Sequence, residues 1–242
     1  MDLQKASITK RAAAWLLDAI LLCVVALGMA VLLSAVFRFD AHNNALNEGI
    51  ARYEQQYGPA VTATEEEYAA MSQEQKALYG ELSYLSHLVP NLTLIIITLS
   101  LLIGVMVVQF AIPLLLKNGQ TVGKKAFGIG LMRTDGVQIN NMQLFVRALL
   151  GKFTIGTMIP VYLLLTVFVF LKGSIVELAV LVGIFLLQMI CVIVTRTNSP
   201  IHDLMAGTVA VDLGSQRIFK STEDLIEYTK AIHAERANKQ DY

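Results

Sequence analysis

Charge is scarce in this chain. Only 16% of its 242 residues are Asp, Glu, Lys or Arg, against roughly a quarter in an ordinary soluble domain. Neither sign is in excess: 19 basic residues balance 19 acidic ones, so the basic footprint of a nucleic-acid binder is missing. Two cysteines allow one internal bridge at most and exclude a disulfide scaffold. Cys23 and Cys191 lie in apolar runs with no partner at metal-ligand spacing and read as small apolar residues. The four histidines are scattered, with no H-x-x-x-H or H-E-x-x-H pattern. There is no G-x-S-x-G elbow either. An enzyme, a bound metal and a cofactor are therefore not expected. Apolar side chains are what the chain has in quantity, 55% of the total. Such a composition excludes disorder and points to a protein that lives in lipid.

Four apolar stretches are long enough to cross a bilayer: about 12–37, 92–116, 148–171 and 175–195. Crossing ~30 Å of hydrocarbon takes roughly 20 residues of helix. Helices are the expected form, because an open strand would leave backbone groups unpaired in lipid. The expected fold class is an all-α membrane protein, a four-helix transmembrane bundle. Lys172, Gly173 and Ser174 alone separate the last two stretches and predict a tight helical hairpin; a shallow re-entrant pair is the alternative. The first stretch is too long for a signal peptide, whose apolar core is roughly 7–15 residues, and Asp18 interrupts it. Of the 19 basic residues, four spans with the N-terminus inside leave only Arg38, Arg52, Lys76 and Lys172 outside. That bias predicts cytoplasmic N- and C-termini.

The segments between the spans carry their own signals. The outer insert 38–88 is acidic, with Glu65, Glu66 and Glu67 at its centre. Thr64 followed by Glu67 fits a capping box and predicts a helix from Glu65 to about His87, lying on the outer surface or against the second span. Its acidic face reads as a solvated face, with cation attraction as the functional alternative. In the inner loop 117–147, Gly119 to Lys125 only superficially resembles a phosphate loop: the spacing is short by one, and Lys125 stands where Ser or Thr is needed. Asp135-Gly136 between apolar runs predicts a short cytoplasmic β-hairpin, to which Thr208–Leu213 could add a strand. The tail 221–242 opens with Ser221, Thr222, Glu223 and Asp224, which suit a helix start.

One residue is costly where it stands. Asp18 lies seven residues, or roughly 10 Å, inside Arg11, at hydrocarbon depth. A buried intramembrane acid costs about 2.5–3.5 kcal/mol and must face protein or water. Arg11 and Asp18 are two turns apart on one helix face, which also carries Ala14. At the far end of the chain Pro200 stops the fourth helix and places Asp203 at the boundary where Arg11 sits, so an Arg11–Asp203 pair is predicted. Arg147 and Glu177 are further candidates for buried charge.

Several pieces together resemble the RDD family of bacterial membrane proteins. They are Lys10-Arg11 with Asp18, Gly119-Gln120-Thr121 with Gly123-Lys124, Gly128-Ile129, Arg147, Arg196, His202-Asp203-Leu204 and Ala206-Gly207-Thr208. The resemblance implies a bacterial inner-membrane protein taking part in transport, and puts the family's name-giving Arg, Asp and Asp on Arg11, Asp18 and Asp203. The acidic insert is longer than the family leads one to expect.

Two functions follow as alternatives. In the first, the protein is a transporter, with proton-coupled cation exchange as the form considered: Asp18 binds the proton or cation, Arg11 and Asp203 gate it, and Arg147, Arg196, His202, Thr121 and Lys124 support them. In the second, these residues tie helices together in a scaffold, assembly factor or subunit of a larger complex. The bilayer is the expected partner, with a homo-oligomer or a membrane complex as further candidates, and no nucleic acid.

Overall fold

The computed structural model describes residues 4–59, 63–116, 119–165 and 175–240. Among them, four helices have membrane length: α1 (Ile8–Val36), α4 (Gln73–Leu115), α6 (Asn141–Leu164) and α7 (Ile175–Val194). Little of α1 and none of α7 is buried by protein. Leu27, Val31, Ile193 and Val194 all stand exposed. Apolar faces this large on a membrane-length helix find their solvent in lipid. The expected hairpin at Lys172, Gly173 and Ser174, and the end of the third stretch, lie outside the described residues.

The chain divides into two compact units, one of residues 25–100 and one of 1–24 with 101–242. In the first, Arg38 adopts a left-handed conformation (φ 51°) and starts α2 (Phe39–Tyr57). Thr64 and Glu67 form the expected capping box at the head of α3 (Glu65–Ala70). The helix then stops, because Met71 is extended. A single helix from Glu65 to His87 is therefore not what forms. Gln73 begins α4 instead, which runs through Pro90 into the second apolar stretch without a break. The expected separation of an outer helix from the second span gives way to one continuous rod. Its first half packs by aromatic contact: Tyr53 meets Tyr57 and Tyr79, and Tyr79 meets Tyr68. Gln75 donates from Nε2 to the Tyr53 hydroxyl, so the one buried tyrosine of α2 keeps a polar partner.

The second unit is organised by a small sheet. β1 (Ile129–Arg133) pairs antiparallel with β2 (Thr208–Asp212), in the register Leu131 to Ala210. The chain's start joins the other edge of β2: Ala6 donates its N–H to Ala210 O, and Asp212 donates to Gln4 O. The sheet is covered on both faces. Ala6, Ala14, Ile129, Leu131 and Ala210 pack together on one, Met132, Val209 and Val211 against Ile218 on the other. Double burial explains why neither strand alternates apolar with polar. The Asp135-Gly136 turn does form, with Arg133 N–H donating to Val137 O. Only Met132 to Gln138 bridges across it, however. The local hairpin is reduced to that bridge, and the strand expected from Thr208–Leu213 forms as β2, the main partner of β1. The chain's start, the loop between α4 and α6 and the segment after α7 thus meet in one sheet. The tail forms α9 (Thr222–Gln240), with Phe219 against Tyr228 and Arg217 stacked over both rings.

Candidate functional site: a buried charge cluster

Two short helices carry the polar loops to the spans. α5 (Val122–Ala126) has Thr121 as its N-cap, whose Oγ1 accepts from Lys124 N–H. α8 (Ile201–Ala206) follows Pro200 and ends at Gly207, which is left-handed (φ 61°). A glycine there ends the helix at no steric cost.

Asp18 holds α5. Its carboxylate is 3% exposed. One oxygen accepts from Thr121 Oγ1 at 2.5 Å and the other from Gly123 N–H at 2.8 Å. The contact is close enough that only glycine fits at 123: a Cβ there would stand 2.1 Å from Ala14 O. The intramembrane acid is thus satisfied by neutral donors from the second loop, and Ala14, one turn before it, lies against the same segment.

Asp203 sits on a different set of partners. α6 starts with a capping box between Asn140 and Gln143. Gln143 Nε2 also donates to Ala206 O and so ties α8 to α6. One turn on, Arg147 donates from Nε to Asp203 Oδ1 at 2.5 Å. One turn further Gly151 lets α8 come close, since a Cβ there would stand 2.4 Å from His202 Cβ. Arg11 reaches the same carboxylate from α1, with its terminal nitrogen 3.6 Å from Oδ2, and donates to Asn198 O at 2.6 Å. The tight partner of Asp203 is therefore Arg147, with Arg11 second. Asp203 is 1% exposed and Arg147 4% by side chain. Burial alone would push the Asp203 carboxyl up; the Arg147 guanidinium overrides it and holds the acid far below the usual carboxylate range. His202, beside it, is pushed well down by burial first, with Arg147 and Lys152 adding repulsion, and stays neutral.

Lys124 is the exception in this cluster. Its side-chain nitrogen is buried and has no hydrogen-bond partner among the described residues. Burial first, then repulsion from Arg147 and Lys152, hold it well below its ordinary value, and Asp203 and Asp18 offset only part of that. Arg196 is exposed and stands outside the cluster, as does half-buried Glu177 on α7.

The spacing rules gave no signal for two more residues. α4 and α6 both contain π-helical stretches, Met106–Ala111 and Arg147–Met158, which pack on one another. Lys152 donates to Gln109 across them. In the sequence Lys152 reads as a flanking charge at a span's edge. The available clue is that Gln109 interrupts an apolar run. Among the described residues no group of His, Cys, Asp or Glu is placed to hold a metal ion.

The Thr121 hydroxyl can be tested directly. Thr121→Val should lower stability in detergent by about 1–3 kcal/mol, because it leaves one oxygen of a buried carboxylate without its donor. Thr121→Ser should restore most of the loss. Equal thermal melts for Val and wild type would show that the bond contributes nothing.

The curated proteins and the solved structures contain no match to this chain. The family model described as the RDD family matches residues 5–207, an interval that takes in Arg11, Asp18, Thr121, Lys124, Arg147 and Asp203. The chain, an all-α membrane protein, belongs to the RDD family.

Proposed function

We propose that this protein is a transporter of the bacterial inner membrane, with both termini in the cytoplasm and the charge cluster at its inner mouth. The observation that carries this reading is the pair of π-helical stretches in α4 and α6, joined by Lys152 and Gln109. π-Helical turns collect at functional sites. Polar and ionisable groups placed inside membrane helices mark ion and substrate pathways. The positive-inside bias supports the orientation, and the large lipid-ready faces of α1 and α7 leave room for a second copy of the chain.

In this reading Arg11, Arg147 and Asp203 close the inner gate, and Asp18 latches it through Thr121 and Gly123. Lifting α5 frees Asp18 to take a proton or cation, which couples gate opening to the ion. The chemistry is exchange of ions, with no bond made or broken.

A second reading has an observation of its own: both carboxylates are bonded within the chain, as structural ties in a non-transporting scaffold or subunit would be. Flux separates the two. Purified protein in proteoliposomes, given a pH gradient and a panel of monovalent cations, should show cation-dependent proton movement. Lys152→Met should cut the rate at least tenfold while the protein still elutes and melts as a folded species. Asp18→Asn should abolish the proton dependence. No flux from wild type, together with a stoichiometric partner on mild purification, would favour the second reading.

A further inference from the structure

Basic and acidic side chains in the cluster are unequal in number. Arg11, Lys124, Arg147 and Lys152 are four bases, while Asp18 and Asp203 are two acids. His202 is neutral and adds nothing. The partners are also unevenly shared. Asp18 spends both oxygens on neutral donors, Thr121 and Gly123. Asp203 serves Arg147 closely and Arg11 at longer range, with Thr208 Oγ1 at 3.3 Å. Among the described residues Lys152 has the neutral Gln109 alone as its side-chain hydrogen-bond partner. Lys124 Nζ, with three N–H donors when protonated, has no hydrogen-bond partner among the described residues.

A buried amine without a hydrogen-bond partner is costly, and more so when it carries a proton. Solvent does not relieve it here, because Lys124 is 8% exposed and its ammonium nitrogen is sealed. Nor do the nearby acids, since neither Asp18 nor Asp203 accepts a hydrogen bond from it. What is missing is an acceptor with negative charge.

We propose that the cluster is an anion site, in which a phosphate group binds Lys124 Nζ with Arg147 and Lys152 as flanking charges. Phosphate offers several acceptor oxygens to an ammonium and a guanidinium, and its negative charge favours the protonated form of Lys124. Arg147 gives Asp203 its Nε, so the five-donor guanidinium has further N–H groups for a second anion. The group can come from free phosphate or from an anionic lipid headgroup, which basic sites between membrane helices also take. The site requires no transport and stands apart from the flux reading.

The test uses the full chain in nanodiscs of phosphatidylcholine, melted with and without inorganic phosphate at constant ionic strength set with chloride. A second series replaces part of the lipid by phosphatidylglycerol. Wild type should gain roughly 5–10 °C in Tm at about 100 times the Kd. A gain with phosphate identifies the free anion, and a gain with phosphatidylglycerol alone identifies the headgroup. Lys124→Met should melt above wild type without anion and lose the response, whereas Lys125→Met, at an exposed neighbour, should respond as wild type does. The proposal is overturned by a wild type that responds to neither, or by a Lys124→Met protein that responds equally. Should Lys124→Met fail to fold, Lys124→Gln takes its place, and an anion response from it equal to that of wild type overturns the proposal.

Discussion

Asp203→Ala is expected to remove the folded protein. Asp203 is the carboxylate that Arg147 and Arg11 share, at 2.5 and 3.6 Å. Its loss strands a guanidinium whose side chain is only 4% exposed. Breaking a buried pair from one side costs about 3–5 kcal/mol, a large part of the roughly 5–15 kcal/mol that holds a typical domain together. Asp203→Asn should lose nearly as much, since it keeps the shape and drops the charge. Arg11→Ala should cost less, because Arg11 is the more distant and more exposed partner. Folded yield on size exclusion and thermal melts in detergent give the ranking, and an Asp203→Ala protein within about 1 kcal/mol of wild type would contradict this account of the pair. The sign with pH also follows. Because the folded acid is held below its ordinary value, its contribution is intact above the unfolded value of about 3.9. It fades only as pH falls below that, toward the folded value.

Gly123→Ala should be nearly as damaging for a different reason. The added methyl would meet Ala14 O at 2.1 Å and Asp18 Oδ1 at 2.9 Å. The first obstacle is backbone, so no rotamer change relieves it. α5 must lift, which breaks the hydrogen bonds from Thr121 and Gly123 to Asp18. Two hydrogen bonds to a charged group, at about 1.5–3 kcal/mol each, set the scale. Gly183→Ala is the control, since nothing lies within 4 Å of a Cβ there. Thermal melts of both should show a drop of several degrees for Gly123→Ala and none for Gly183→Ala. Equal melts would mean that α5 does not rest on α1 as described.

What the amino-acid order determined is whatever a single turn or a single run of side chains can decide. Hydropathy marks the four membrane-length helices, because the bilayer acts on each stretch separately. Thr64 and Glu67 make a capping box, because both partners lie within one turn. The cost of Asp18 in lipid demands a protein partner wherever the chain goes next, and Asp18 is indeed buried. Tertiary structure alone chose that partner. Thr121 and Gly123 lie about a hundred residues away, and no local pattern names them. It chose Arg147 over Arg11 as the close partner of Asp203, through a capping glutamine, Gln143, that also clamps α8. It made β2 the main partner of β1 across the third and fourth helices, in place of the run just beyond the Asp135-Gly136 turn, because both faces of that pair find apolar cover. And it left Lys124 sealed without a partner, since the sequence gives a lysine's charge but only packing decides whether water reaches it.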